Sequence, residues 1–166
     1  MFEISNKNIT LKEMSQKEMR ALWRKYTPAP DSGEKPFVYN EEVVDAAYER
    51  MVERRDLEPT AGIFTKNNEV VGMVVIERIV VSEKRCEIRM MLATETYRNR
   101  GIGTEALMLA KDYVKNTLGL NRIYADVSTN NLRMQAVMKK CGFMHTKTFK
   151  GNYPDGGDRM SFVCVM

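Results

Sequence analysis

Residues 87–114 read EIRMMLATETYRNRGIGTEALMLAKDYV, and this stretch decides the fold. An apolar strand, Arg85–Leu92, gives way to a polar loop, and a helix starts at Ile102 or Gly103. Gly101 and Gly103 remove side chains where the chain enters the helix. The free N–H groups of a helix's first turn point outward, and the helix dipole favours negative charge there. Arg98 and Arg100 add cationic donors. The segment therefore suits a phosphate or pyrophosphate. The plainer alternative is an arginine-bearing turn with a glycine start.

Reading outward, Ala106, Leu107, Ala110, Tyr113, Val114 and Leu118 form the buried stripe of a helix over Thr104–Leu118 that stops at Gly119. Arg122–Ser128 alternates as a strand. Asn130–Cys141 is helical, with Met134, Val137, Met138 and Cys141 inward. Phe143–Lys150 and Arg159–Met166 are closing strands joined by the turn-rich segment GNYPDGGD. On the other side, Ala61–Lys66 and Glu69–Val81 make a hairpin about Asn67-Asn68, and Glu83-Lys84 turns into Arg85–Leu92. Ile9–Lys12 is a short strand. Ser15 caps a helix to Tyr26, and a second helix spans Glu41–Arg55. Between them Thr27–Asn40, with Pro28, Pro30, Gly33 and Pro36, is a loop long enough to suggest function. The order β-α-α-β-β-β-α-β-α-β-β predicts an α+β domain on a mixed sheet.

The whole chain, 166 residues, fits one domain over 1–166. Its 43% hydrophobic and 29% charged residues exclude intrinsic disorder. The longest apolar run, Val70–Ile76, is too short to span a bilayer, and the N-terminus does not read as a signal peptide. A cytoplasmic protein with no membrane partner is expected. A net charge of +4 is a poor basis for nucleic-acid binding and suits an anionic small ligand. Cys86, Cys141 and Cys164 lack metal or disulfide spacing and read as core, and the single histidine, His145, reads as structural. No metal is expected.

Gly101–Ala106 also spells G-x-G-x-x-A, with Asp126 downstream, which opens a dinucleotide-binding oxidoreductase as an alternative. Against it, TETYRNR separates the strand from the glycines and several strands precede the motif.

Arg98-Asn99-Arg100-Gly101-Ile102-Gly103 fits the pattern [QR]-x-x-G-x-[GA]. The stretch NNLRMQAVMKKCGF fits N-x-x-[AS]-x-x-x-[YF]-x-K-x-G-F through Asn131, Lys140, Gly142 and Phe143. On these motifs the chain, from about Ile9 to its end, resembles the GNAT superfamily of N-acetyltransferases, in the branch of ribosomal-protein alanine acetyltransferases. The resemblance implies a mixed, mostly antiparallel sheet with helices on both faces, and acetyl-CoA as donor to a primary amine. It implies backbone pairing of the pantetheine with Met90, Met91 and Leu92, as an added strand would pair. Arg98, Asn99, Arg100, Gly101, Ile102, Gly103 and Thr104 would hold the pyrophosphate. Asn131 would bond the pantetheine arm, and Lys139 or Lys140 would approach the nucleotide phosphate. A backbone N–H near Met91 would stabilise the oxyanion. The resemblance leaves room for a homodimer and for a non-catalytic acyl-CoA-binding module.

Two positions depart from the family's pattern. Met138 replaces a tyrosine able to protonate the thiolate, and Met134 fills a serine or alanine slot. Glu87 is the candidate base; Glu77 and Tyr124 are alternatives. The acceptor is expected between Trp23–Asn40, the helix after it and Gly151–Asp158, with Asp31, Glu34, Glu41 and Glu42 making an acidic rim.

Overall fold

A computed structural model describes residues 1–30 and 34–166. The calls on Asp31 and Gly33 lie outside the described residues. Eight strands form one sheet in the order β1-β2-β3-β4-β5-β6-β8-β7. They are β1 (Glu3–Ser5), β2 (Ile9–Lys12), β3 (Thr60–Thr65), β4 (Val70–Val80), β5 (Arg85–Leu92), β6 (Arg122–Ser128), β7 (Met144–Phe149) and β8 (Arg159–Val165). The helices are α1 (Gln16–Arg24), α2 (Glu41–Glu53), α3 (Ile102–Asn116) and α4 (Leu132–Lys140).

Strand β1 is the element missing from the sequence reading. It is three residues long and pairs antiparallel with β2, so tertiary pairing rather than local pattern holds it. Phe2, just before it, stacks on Tyr113 of α3 with ring centroids 3.9 Å apart.

Period-two alternation puts helices on both faces. Val74, Ile76 and Ile88 bury against Ala106, Leu107, Ala110, Met138 and Cys141. On the other face Phe64 and Val70 pack with Leu22 of α1, and Met73 and Met51 of α2 join them. All three cysteines are free and buried, as core residues. Burial raises the Cys86 thiol to about 12, which leaves it unreactive.

Among the described strands, one pair is parallel, β5 with β6, and it is short. Its partners are Arg85↔Arg122, Cys86↔Ile123 and Glu87↔Tyr124. Beyond Glu87, residues 88–92 continue beside β4 alone, while residues 125–128 of β6 continue beside β8. The sheet therefore splits at Glu87 and Tyr124. This topology lacks the repeated parallel units of a doubly wound fold, and the dinucleotide alternative loses its scaffold.

Candidate active site

The split opens into a cleft of about 570 Å³. Met90, Met91 and Leu92 of β5 form one wall, and Asn131, Val137 and Lys140 form part of the α4 wall. Asn99, Gly101, Gly103 and Thr104 close one end. Most of the residues named from the motifs thus meet in one place. Arg100 and Ile102 do not line it. Ile102 packs against the core, and Arg100 Nη1 reaches the Thr96 carbonyl at 3.4 Å. Lys140 is at the cleft; Lys139 is an exposed residue outside it.

The end wall is the start of α3. Asn99 and Gly101 both adopt left-handed backbone, with φ of 59° and 80°, which turns the chain sharply into the helix. Gly101 caps α3 without a side-chain bond, and the first backbone bond runs from Glu105 N–H to Gly101 O at 3.0 Å. The N–H groups of Ile102, Gly103 and Thr104 therefore have no acceptor within the helix. A Cβ built on Gly103 would meet Met90 Cε at 3.5 Å, Leu92 Cδ1 at 3.9 Å and Val137 Cγ2 at 4.0 Å. These are ordinary contacts, so protein packing does not demand glycine there. A side chain there would extend beside the open N–H groups at the start of α3, along the cleft. The residues fit the pyrophosphate of CoA on this ground.

Arg98 lines the cleft as well, with its guanidinium bonded within the protein. Its side chain is 11% exposed and its guanidinium is turned into the protein. Nη2 donates to Thr27 O at 2.7 Å and Leu92 O at 2.9 Å, and Nη1 to Glu95 at 3.2 Å. Its backbone N–H donates to Glu95 O. Asn131 Oδ1 is the cap of α4, accepting from Met134 N–H at 3.0 Å. Any bond from Asn131 to a pantetheine then falls to its amide nitrogen. Met138 is 3% exposed in the core and packs there.

Glu87 does not line the cleft; it sits at the vertex of the split, opposite Tyr124. Arg78 Nη1 donates to both of its carboxylate oxygens at 3.1 Å. Glu77, its partner across β4, is bound by Arg89 at 2.8 Å.

The stretch Trp23–Asn40, expected to border the acceptor, reaches the cleft at three described residues. Tyr26, Ala29 and Glu34 line the cleft, and Tyr26 Oη donates to Glu34 at 2.7 Å. Burial first, and then the Glu34 carboxylate, raises the Tyr26 hydroxyl well above its usual value. Glu41 belongs elsewhere: Arg24 at 2.5 Å and Arg20 at 3.7 Å tie it between α1 and α2, and α2 adds nothing to the cleft. In the 150–158 loop, Asp158 N–H donates to Thr129 Oγ1 at 3.0 Å, which seats the loop on the end of β6. Tyr153 there is raised by burial and by the carboxylates of Asp155, Asp126 and Glu34. Asp155 Oδ2 is buried without a hydrogen-bond partner among the described residues. Arg133 had no signal in the sequence; it lines the cleft and bonds Glu95 at 2.6 Å.

No group of metal-ligating side chains lies together, and no helix is long and apolar enough to cross a membrane, among the described residues.

The family model described as the acetyltransferase (GNAT) domain matches residues 8–144. The Bacillus subtilis (strain 168) protein named Probable N-acetyltransferase YjcK is 32% identical over 97 residues, covering 58% of this chain and 53% of that protein. The chain thus spans about half the length of the curated relatives it matches. Among solved structures, the acetyltransferase (GNAT family) from Bacillus anthracis has a TM-score of 0.82 at 22% identity, over 99% of this chain and 98% of that one. Spermidine N-acetyltransferase from Vibrio cholerae, in complex with CoA and spermine, has a TM-score of 0.82 at 16% identity, over 96% of both chains.

Proposed function

The chain belongs to the GNAT family of acetyltransferases, and from that premise we propose that it moves an acetyl group from acetyl-CoA onto a primary amine by direct attack. The observation that carries the reading is Gly103, whose missing side chain leaves the first turn of α3 open to the cleft. In this reading Asn99 to Thr104 hold the pyrophosphate through backbone N–H groups, and Lys140 adds charge beside it. The free edge of Met90–Leu92 pairs with the pantetheine arm, and the Asn131 amide helps hold it. Arg100 contributes charge from outside the cleft.

When bound, acetyl-CoA would supply a thioester whose acyl carbon takes the amine, forming the C–N bond and breaking the C–S bond, with CoA leaving as a thiolate that takes its proton from water. An arm running along β5 from α3 ends where the split closes, at Glu87 and Tyr124. There Glu87 accepts the amine's proton, directly or through a water. A backbone N–H near Met91 stabilises the oxyanion. The acceptor enters beside Tyr26, Glu34 and the 150–158 loop. The Glu34 carboxylate, which does line the cleft, suits an ammonium, which favours a cationic small amine or a protein N-terminus. The Vibrio cholerae relative in complex with CoA and spermine supports the same class.

We place the enzyme in the cytoplasm, where three free cysteines stay reduced. We read it as one domain over 1–166, with a homodimer as its assembly if it has one. The mild charge of +4 favours neither nucleic acid nor membrane as partner. The test is incubation with acetyl-CoA and a panel of diamines, aminoglycosides and peptide N-termini, read by thiol release. Release that depends on an amine is expected. CoA binding without release for any amine would support the acyl-CoA-binding module instead.

A further inference from the structure

We propose that Arg98 is a positioning residue that fixes the acceptor loop to the end of β5, so that cofactor and acceptor are registered on one support. The inference rests on the acetyltransferase reading for the identity of the two ligands.

Thr27, near the start of the loop between α1 and α2, is tied through both of its backbone groups. Its N–H donates to Ala93 O at 2.8 Å, and its carbonyl accepts from Arg98 Nη2 at 2.7 Å. The same nitrogen reaches Leu92 O at 2.9 Å, at the end of the β5 wall. Arg98 thus joins the strand that would carry the pantetheine to the loop that presents Tyr26 and Glu34. A second tie lies beside it. Glu69 accepts from Tyr97 Oη and from Lys25 Nζ, the latter at 3.1 Å, linking the segment before Arg98 to the end of α1. The far side of the loop rests on aromatic contacts. Phe37 lies 5.2 Å from Trp23 and 5.3 Å from Tyr26 between ring centroids.

A planar guanidinium can serve two carbonyls and a carboxylate at once; an ammonium on a flexible stem does not hold that fork. With both Nη atoms engaged on Thr27, Leu92 and Glu95, Arg98 acts on catalysis through where it places the loop.

Arg98→Lys and Arg98→Met of the full chain test this. Three measurements are made: CoA affinity by calorimetry, amine KM at saturating acetyl-CoA, and hydrogen exchange of the amides of Tyr26, Thr27 and Ala29. Loss of a charged hydrogen bond that orders the acceptor side should raise amine KM about tenfold in both variants, while CoA affinity changes by less than about threefold. The amides of Tyr26, Thr27 and Ala29 should exchange faster, Thr27 above all, since its N–H is bonded to Ala93 O. Arg98→Lys keeps the charge and covers the case in which Arg98→Met fails to fold. A tenfold loss of CoA affinity in Arg98→Met, with amine KM unchanged, overturns the proposal and makes Arg98 a phosphate ligand. Exchange needs no amine, so unchanged protection at Tyr26, Thr27 and Ala29 in both variants overturns the clamp even if no acceptor is ever turned over.

Discussion

At Gly103 an added Cβ stands 3.5 Å from Met90 Cε, so a small side chain is compatible with the folded protein. Gly103→Val should therefore unfold within a few degrees of the parent while losing CoA binding, because its branches fill the space beside the α3 donors. Normal CoA binding by Gly103→Val would mean that the loop is only a turn. Glu87 poses a different question. An alkyl amine with a pKa of about 10 arrives mostly protonated near neutral pH and must lose that proton to attack. Glu87→Gln keeps the shape and removes the acceptor, so kcat should fall about a hundredfold, with little change in CoA affinity. The substitution also frees Arg78, which is 70% exposed and can turn to water. A silent Glu87→Gln, with a rate that follows the amine's own pKa, would show that neutral amine arrives from bulk solvent.

Elements here are held partly by signals in the chain and partly by neighbours. Helix α1 is only nine residues long, and Ser15 and Glu18 close a reciprocal capping box at its start. Ser15→Ala should cost about 1 kcal/mol in urea unfolding without changing the m-value, since it removes the cap and no buried surface. The same cap made α1 legible in the sequence, as the glycines made the start of α3 and Gly119 its end. Strand β1 was illegible because three residues carry no period. Glu41 read as rim acid because its partners, Arg20 and Arg24, come from another helix. The bonds of Arg98 to Thr27 O and Leu92 O were illegible because no residue identity announces a backbone acceptor. The cleft was legible where glycines and helix starts define it. How Tyr26 and Glu34 come to line it was not, because that rests on contacts between segments far apart in sequence.

For the molecule as a whole, the cleft joins three parts that the chain supplies separately: β5, the start of α3, and α4. A ligand bound across them exists only for the folded state, so it stabilises the fold by mass action. CoA at a hundred times its dissociation constant should contribute about 2.7 kcal/mol. For a chain of this size that is a rise in Tm of about 5–10 °C. Acetyl-CoA should give nearly the same rise, because the α3 donors engage the pyrophosphate and not the acetyl group. NADH shares a pyrophosphate but has no pantetheine arm to pair with Met90–Leu92, so its shift should be much smaller. Gly103→Val should abolish the CoA shift, and Glu87→Gln should retain it, which separates binding from proton transfer in one thermal series. A larger shift with NADH than with CoA would contradict the assignment of the β5 edge, because only the arm distinguishes the two ligands at that strand.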